Sequence, residues 1–95
     1  MSEKIYVFSL KGCSHCHNLK LAFNEHNIKF LDVDVDQNEK MWESVVEQTG
    51  YDYVPTIMIF DDENEDADVY IPSIDFENEE DMVKIINERK NNQGN

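Results

Sequence analysis

Short apolar runs alternate with amphipathic segments along the chain, and the two patterns predict strands and helices in turn. The run over 56–60 is almost wholly apolar, which is typical of a central strand. Residues 29–35 alternate between apolar and acidic side chains, which indicates a strand with one buried face. Cys16, Leu19 and Phe23 recur at the spacing of one helix face. In chain order, the predicted elements are a strand over 4–9, a helix over 14–24, a strand over 29–35, a second helix between 36 and 50, strands over 56–60 and 67–71, and a third helix after 78.

Capping residues mark the ends of the second and third helices. Asp36 is expected to cap the second helix, and Glu39 would complete a capping box with it. Gly50 is the natural end of that helix, and Trp42 on its apolar stripe is expected to pack in the core. Asn78 is the expected N-cap of the third helix.

The resulting element order is β-α-β-α-β-β-α. The first two strands are separated by a helix and should be parallel, whereas the last two should form a hairpin. We therefore predict an α/β fold with a mixed sheet, formed by a single domain over residues 1–95. Residues 91–95 are polar and are expected to fray.

Acidic residues dominate the charge of the chain, which has a net charge of −13. Residues 1–50 carry eight acidic and five basic side chains, whereas residues 51–95 carry thirteen acidic and three basic ones. Nucleic acids and anionic membrane surfaces are therefore excluded as expected partners. No charged-then-apolar leader and no long apolar run is present, so we expect a cytoplasmic protein.

Both cysteines lie in one short segment, where the first strand is predicted to turn into the first helix. Free N–H groups and a partial positive charge at a helix start favour the thiolate form of a cysteine. Cys13 is best placed at that turn, and Cys16 lies on the buried face one turn later. In a reducing compartment, such a pair indicates redox cycling rather than a stabilising disulfide.

Other interpretations of these residues remain open at this stage. The cysteines and His17 fit the Cys-x-x-Cys-His pattern of haem attachment. Together with His15 and His26 they could form part of a zinc site, or the cysteines could be merely structural. The alternating aspartates at 32–36 could bind a metal, although a solvated face is the simpler interpretation. The acidic turn over 61–66 lacks the glycine and terminal glutamate of a calcium loop.

Two motifs in this element order resemble the thioredoxin superfamily, and most closely its small members, the glutaredoxins and glutaredoxin-like electron carriers. One motif follows the first strand and the other precedes the third; they are Cys13-Ser14-His15-Cys16 and Val54-Pro55-Thr56. The resemblance covers essentially the whole chain. It implies a thioredoxin fold, with a four-stranded mixed sheet flanked by helices.

The resemblance also implies roles for individual residues. Cys13 is similar to the exposed nucleophile and Cys16 to the resolving thiol, with His15 as the third catalytic candidate. Pro55 resembles the family's cis-proline, and Val54 would offer its backbone to an extended substrate. The expected substrate-binding residues are Lys11, Ser14, Tyr53, Val54, Pro55 and Asp75.

The chain departs from the family pattern at three places, two of which concern the chemistry of the site directly; the third, the absence of a buried acid in strand one and of a Trp before Cys13, favours the glutaredoxin-like side. Ser14-His15 replaces the Pro-Tyr of common glutaredoxins; a histidine there can favour the Cys13 thiolate and a less reducing couple than thioredoxin's, or simply face solvent. The Gly-Gly turn of glutathione-binding members is replaced by Ile71-Pro72-Ser73-Ile74-Asp75, which leaves glutathione open as a co-substrate.

The leading hypothesis is a dithiol oxidoreductase that reduces protein or glutathione mixed disulfides. The resemblance implies disulfide-containing protein substrates, with ribonucleotide reductase as one candidate, and glutathione or a thioredoxin-type reductase as the electron source. No metal is expected. The alternatives are a glutaredoxin-type iron–sulfur carrier and a non-catalytic module that binds a basic partner through the acidic stretch from Asp61 to Asp81.

Overall fold

The computed structural model describes residues 3–93, which form four strands and three helices. In chain order they are β1 (Glu3–Ser9), α1 (Ser14–Glu25), β2 (Leu31–Asp34), α2 (Glu39–Thr49), β3 (Thr56–Asp61), β4 (Asp66–Tyr70) and α3 (Glu79–Gln93). The predicted order β-α-β-α-β-β-α is therefore observed.

The four strands form one mixed sheet in the order β2-β1-β3-β4. β1 runs parallel to β2 and antiparallel to β3, with Val7 opposite both Asp32 and Ile57. β3 and β4 form the predicted hairpin. The two most apolar strands, β1 and β3, are thus the internal ones, because only strands buried on both faces require apolar side chains in both directions.

The start of the second helix differs from the sequence-based prediction. Asn38 rather than Asp36 is the N-cap of α2, and its side chain makes no capping hydrogen bond. A turn after β2 uses the preceding residues instead: Asp34 Oδ1 accepts from the Asp36 N–H at 2.9 Å, and Asn38 Nδ2 donates to the Asp34 carbonyl at 2.9 Å. This local turn competes with the capping box and delays the helix. It also ends β2 at Asp34, so the strand is shorter than predicted.

The other helix ends are close to their predicted positions. Gly50 ends α2 with a left-handed φ of 81°, and Asn78 Oδ1 accepts from the Asp81 N–H at 2.9 Å as the N-cap of α3. Helix α3 extends to Gln93, and the fraying expected over 91–95 stays a prediction. Residues 94 and 95 lie outside the described part of the chain.

The core is divided between the two faces of the sheet. On the face covered by α1 and α3, a cluster includes Val7, Leu19, Phe23, Ile57 and Met82, all almost fully buried. On the opposite face, α2 covers a smaller cluster whose buried members are Phe8, Val35 and Val45. Trp42 packs against Phe8 there with ring centroids 5.6 Å apart, as expected for a core residue.

None of the helices described over residues 3–93 could span a membrane.

Candidate active site

The cysteine pair lies at the junction of β1 and α1, where the chain reverses through a tight turn. Gly12 has a φ of 86°, a left-handed conformation that favours glycine. The Cys13 N–H then donates to the Leu10 carbonyl at 3.1 Å, and Cys13 becomes the N-cap of α1. The predicted location of the first cysteine at the start of the helix is therefore observed.

The two cysteines are joined in a disulfide, and their environments differ. Their Cα atoms are 5.3 Å apart, which is within the usual range for a disulfide. Cys13 is partly exposed, whereas Cys16 is 1% exposed on the face of α1 that packs on the sheet. The Cys16 N–H donates to Cys13 Sγ at 3.1 Å. Cys13 is therefore the more exposed cysteine of the pair, and the free N–H groups at the helix start can stabilise negative charge on its sulfur.

The loop before β3 forms a second wall of the site. The peptide bond between Val54 and Pro55 is cis, as the resemblance to the thioredoxin superfamily implied. Pro55 is buried, and the buried Thr56 hydroxyl donates to the Tyr53 carbonyl, which fixes the loop on the end of β3. Tyr53 itself is 46% exposed. Its ring lies 5.4 Å from that of Tyr51, centroid to centroid.

A cleft of about 360 Å³ opens between these two walls and the start of α3. It is lined by His15 of the cysteine motif, by residues 53–55, by residues 72–73 after β4, and by Phe76 with residues 77–79. Its position beside the cysteine motif makes it the natural place for the group attached to a reacting disulfide.

Four of the predicted site residues line the cleft, whereas five others, the two cysteines among them, do not. His15, Tyr53, Val54 and Pro55 line it. Lys11 in the turn and Ser14, the first residue of α1, are exposed but do not line the cleft. Asp75 Oδ2 accepts from the Ile71 N–H at 2.8 Å, so that this carboxylate is engaged within its own turn.

Several lining residues were not singled out as functional from the sequence. Phe76 is 5% exposed and was expected only to lead into the third helix. Glu77 and Glu79 flank the Asn78 cap, and Ser73 has a left-handed φ of 71° in the turn where glutathione-binding relatives carry glycine. Their shared signal in the sequence is only that they surround the start of a helix.

A small polar network lies between α1 and β2. The buried Ser9 hydroxyl donates to Asp32 Oδ1 at 2.6 Å, and Lys20 Nζ lies 2.8 Å from Asp32 Oδ2. Partial burial alone would raise the pKa of Asp32, but the hydrogen bonds from Lys20 and Ser9 outweigh it, and the pKa lies below the usual aspartate value. The two aspartates of β2 therefore have different partners. Asp32 pairs with Lys20, whereas Asp34 Oδ1 accepts a hydrogen bond from the Asp36 N–H in the following turn. Among residues 3–93, no three metal-binding side chains come together.

Comparisons with known proteins agree with this geometry. The sequence model of the glutaredoxin family matches residues 5–63. An N-acetyl-S-hydroxy-L-cysteine reductase of Bacillus subtilis is 36% identical over 55 residues, which are 58% of this chain and 59% of the reductase. The chain thus matches about three-fifths of the length of that curated relative.

Solved structures show the same fold. The Malassezia sympodialis thioredoxin Mala s 13 superposes with a TM-score of 0.62 and 17% identity, over 90% of this chain and 75% of that one. A malarial protein superposes with a TM-score of 0.57 and 18% identity, over 93% of this chain and 97% of that one. The predicted thioredoxin fold is therefore confirmed. Since the family match covers more than half of the sequence, the chain belongs to the glutaredoxin family.

Proposed function

We propose that this chain is a dithiol oxidoreductase of the cytoplasm that reduces disulfides of proteins or mixed disulfides of glutathione through Cys13 and Cys16. The observation that carries the proposal is the asymmetry of the pair. Cys13 is the partly exposed N-cap of α1, whereas Cys16 is buried behind it. An exposed attacking thiol and a sheltered second thiol are what a two-step exchange requires.

In the first step, the Cys13 thiolate attacks one sulfur of a substrate disulfide. A bond forms between Cys13 and that sulfur, and the other substrate sulfur leaves as a thiolate that takes a proton from solvent. The helix start and the Cys16 N–H, which donates to Cys13 Sγ at 3.1 Å, stabilise the attacking thiolate. His15 is exposed at the edge of the cleft, and a positive charge on it would favour the same thiolate.

In the second step, Cys16 attacks Cys13 Sγ and releases the remaining substrate thiolate. The protein then holds the disulfide seen here, and two electrons have passed from the dithiol to the substrate. Either glutathione or a thioredoxin-type reductase would return two electrons to the pair. Disulfide-bonded proteins, ribonucleotide reductase among them, are the proposed substrates.

The loop before β3 would hold the substrate during both steps. Val54 is half-buried beside the cleft, and its backbone can pair with an extended substrate segment as an added strand does. Pro55 has no N–H group, so the chain at this point brings no unpaired backbone donor to the cleft. Tyr53 would cover the outer side of the bound segment.

A second candidate function follows from the match to the Bacillus subtilis reductase, whose named substrate is a small sulfenic acid. Cys13 would attack the sulfenic sulfur with loss of hydroxide, and Cys16 would then release the reduced thiol. One water and one protein disulfide would form per turnover. The same cysteines would serve, so only the substrate distinguishes this candidate.

The test compares the two cysteines. Cys13→Ser should abolish reduction of a disulfide-bonded peptide, of a glutathione mixed disulfide and of a small sulfenic acid. Cys16→Ser should still perform the first step and should accumulate a mixed disulfide with the substrate that mass spectrometry detects. If Cys13→Ser keeps the wild-type turnover of these substrates, the proposal is wrong. In freshly purified protein, visible absorbance would instead favour the iron–sulfur carrier.

A further inference from the structure

The charged side chains that line the cleft beside the cysteines are acidic, apart from His15. Glu77 is exposed and Glu79 is half-buried, and both line the cleft together with the loop before β3. Neither lysine nor arginine lines the cleft in the described part of the chain. Within residues 3–93, no salt bridge neutralises Glu77 or Glu79. Their charge therefore acts on whatever the cleft binds.

The start of α3, which would otherwise attract an anion, has one capped N–H group and three acidic side chains in its first turn. Free N–H groups at a helix start form a ready anion site. Here Asn78 Oδ1 accepts from the Asp81 N–H at 2.9 Å, and Asp81 Oδ2 accepts from the Glu77 N–H at 3.0 Å. Glu79, Glu80 and Asp81 also place three negative charges in the first turn. A substrate carboxylate would meet these three like charges, and the Asp81 N–H is already bonded to Asn78.

The cleft also offers an aromatic side chain. Tyr53 lines it and is 46% exposed, and its ring lies beside that of Tyr51, which is 37% exposed and does not line the cleft. Exposed tyrosine faces attract lysine and arginine side chains. Asp52, between them in the sequence, is exposed as well. A basic side chain in the cleft therefore finds an aromatic face on Tyr53 and carboxylates on Glu77 and Glu79.

We propose that this cleft selects disulfides in positively charged protein segments and disfavours glutathione. Glutathione carries two carboxylates and one ammonium group, so it would enter an acidic cleft as an anion. Lys11 is the cation nearest to Cys13 in the sequence, but it is exposed and does not line the cleft. The inference rests on the proposed function, because it concerns which disulfide Cys13 attacks.

The test measures single-turnover attack by the reduced protein on matched substrates. Each substrate is a cysteine joined through a disulfide to the same neutral leaving group, 2-thiopyridone, whose release is followed by absorbance. The cysteine belongs to a peptide flanked by lysines, to one flanked by serines, to one flanked by glutamates, or to glutathione. Each second-order rate constant is divided by that of a small neutral thiol with the same substrate, which removes differences in intrinsic reactivity.

We expect the normalised rate for the lysine peptide to exceed those for the glutamate peptide and for glutathione by roughly tenfold, the size expected of a few screened charges. Raising the ionic strength from about 0.02 M to about 0.5 M should reduce the ratio severalfold, because the Debye length becomes shorter than the cleft. The double variant Glu77→Gln/Glu79→Gln should bring the ratio to about two or three, since the isosteric amides remove the charge alone.

The control is Glu43→Gln/Glu47→Gln, which changes the net charge equally on exposed positions of α2, away from the cleft. This variant should keep the ratio of the unaltered protein. A ratio near one in the unaltered protein, or an equal loss of the ratio in the control, would overturn the inference. If none of the substrates reacts faster with the reduced protein than with the small thiol, the proposed function itself is wrong. That outcome shows in the absolute rate constants, whereas failure of the charge selectivity shows only in the ratio between substrates.

Discussion

The two faces of the sheet are packed to very different extents. Among the described residues, the face covered by α1 and α3 has a cluster of ten buried apolar side chains, whereas the cluster under α2 has three. α2 contributes a single buried residue, Val45, and its Trp42 remains half-exposed. Since hydrophobic stabilisation follows the apolar area removed from water, most of it must come from the first face.

The redox site belongs to the well-packed face. Cys16, Leu19 and Phe23 form the buried side of α1, so the helix that presents Cys13 is held by the larger cluster. Phe76 of that cluster also lines the cleft. The position of Cys13 should therefore depend on packing under α1 and α3, whereas changes under α2 should leave it in place.

The largest effect should come from emptying the α1 face. Phe23→Ala removes a fully buried ring that packs edge-on against Phe30, with centroids 5.6 Å apart. We expect a loss of about 3–5 kcal/mol in the free energy of unfolding, measured by urea denaturation. Phe23→Leu, which keeps most of the volume, should lose clearly less. A loss below about 1 kcal/mol in the alanine variant would contradict the view that this face dominates.

Several parts of this site could be predicted from the sequence because their signals are local. The spacing of Cys13 and Cys16 at a strand-to-helix junction predicted the N-cap position of the first and the burial of the second. Pro55 directly before an apolar strand pointed, through the family resemblance, to the cis bond. Each of these features depends on a few neighbouring residues, so the sequence carries it.

The third wall of the cleft could not be predicted in the same way. Phe76, Glu77 and Glu79 lie about sixty residues after the cysteines, and only the β4–α3 connection places them beside His15.

The predicted start of α2 was wrong for another reason. Two local hydrogen-bonding patterns, the turn at Asp34 and the capping box at Asp36, compete for the same few residues, and the sequence does not rank them.

A smaller effect is expected on the α2 face. Val45→Ala removes two methyl groups from the small cluster, and should lower the free energy of unfolding by about 1–2 kcal/mol. The rate of single-turnover disulfide reduction at a temperature where the variant is folded should equal that of the unaltered protein. A slower reaction in fully folded Val45→Ala would show that the two faces of the sheet are coupled. The view that packing under α2 does not affect the position of Cys13 would then be wrong.

The ion-pair cluster around Arg89 tests the end of the α1–α3 face that is remote from the cysteines. Arg89 of α3 donates to Glu3 of β1, to Asp68 of β4 at 2.7 Å and to the Tyr70 hydroxyl at 2.9 Å. Glu3 starts the seven-residue β1, so the cluster lies about 20 Å along that strand from its end beside the cysteines. Arg89→Met keeps the apolar stem and removes the charge.

We expect Arg89→Met to lower the free energy of unfolding by about 1 kcal/mol, since these pairs are partly screened by solvent. The loss should shrink in high salt, and disulfide reduction should be unchanged. Arg89→Lys should recover only part of the stability, because an ammonium group cannot reach the three partners in the same fork geometry. A loss that does not depend on salt would assign the role of Arg89 to packing of its stem.

The smallest effect concerns Asp32, which joins β2 to α1 through Lys20 and to β1 through Ser9. Because its pKa is lowered in the folded protein, the ionised carboxylate stabilises the fold above the unfolded pKa of about 4, and this contribution is lost as the pH falls through the folded value. Asp32→Asn should therefore cost less than about 1 kcal/mol at pH 7, since the carboxylate is largely exposed. The difference from the unaltered protein should stay constant down to about pH 5 and disappear at lower pH. Urea denaturation across this range measures it.

Asp62→Asn, exposed in the turn between β3 and β4, controls for the change in net charge. If both variants follow the same pH profile, the network under α1 adds nothing specific, and apolar packing alone fixes that helix on the sheet.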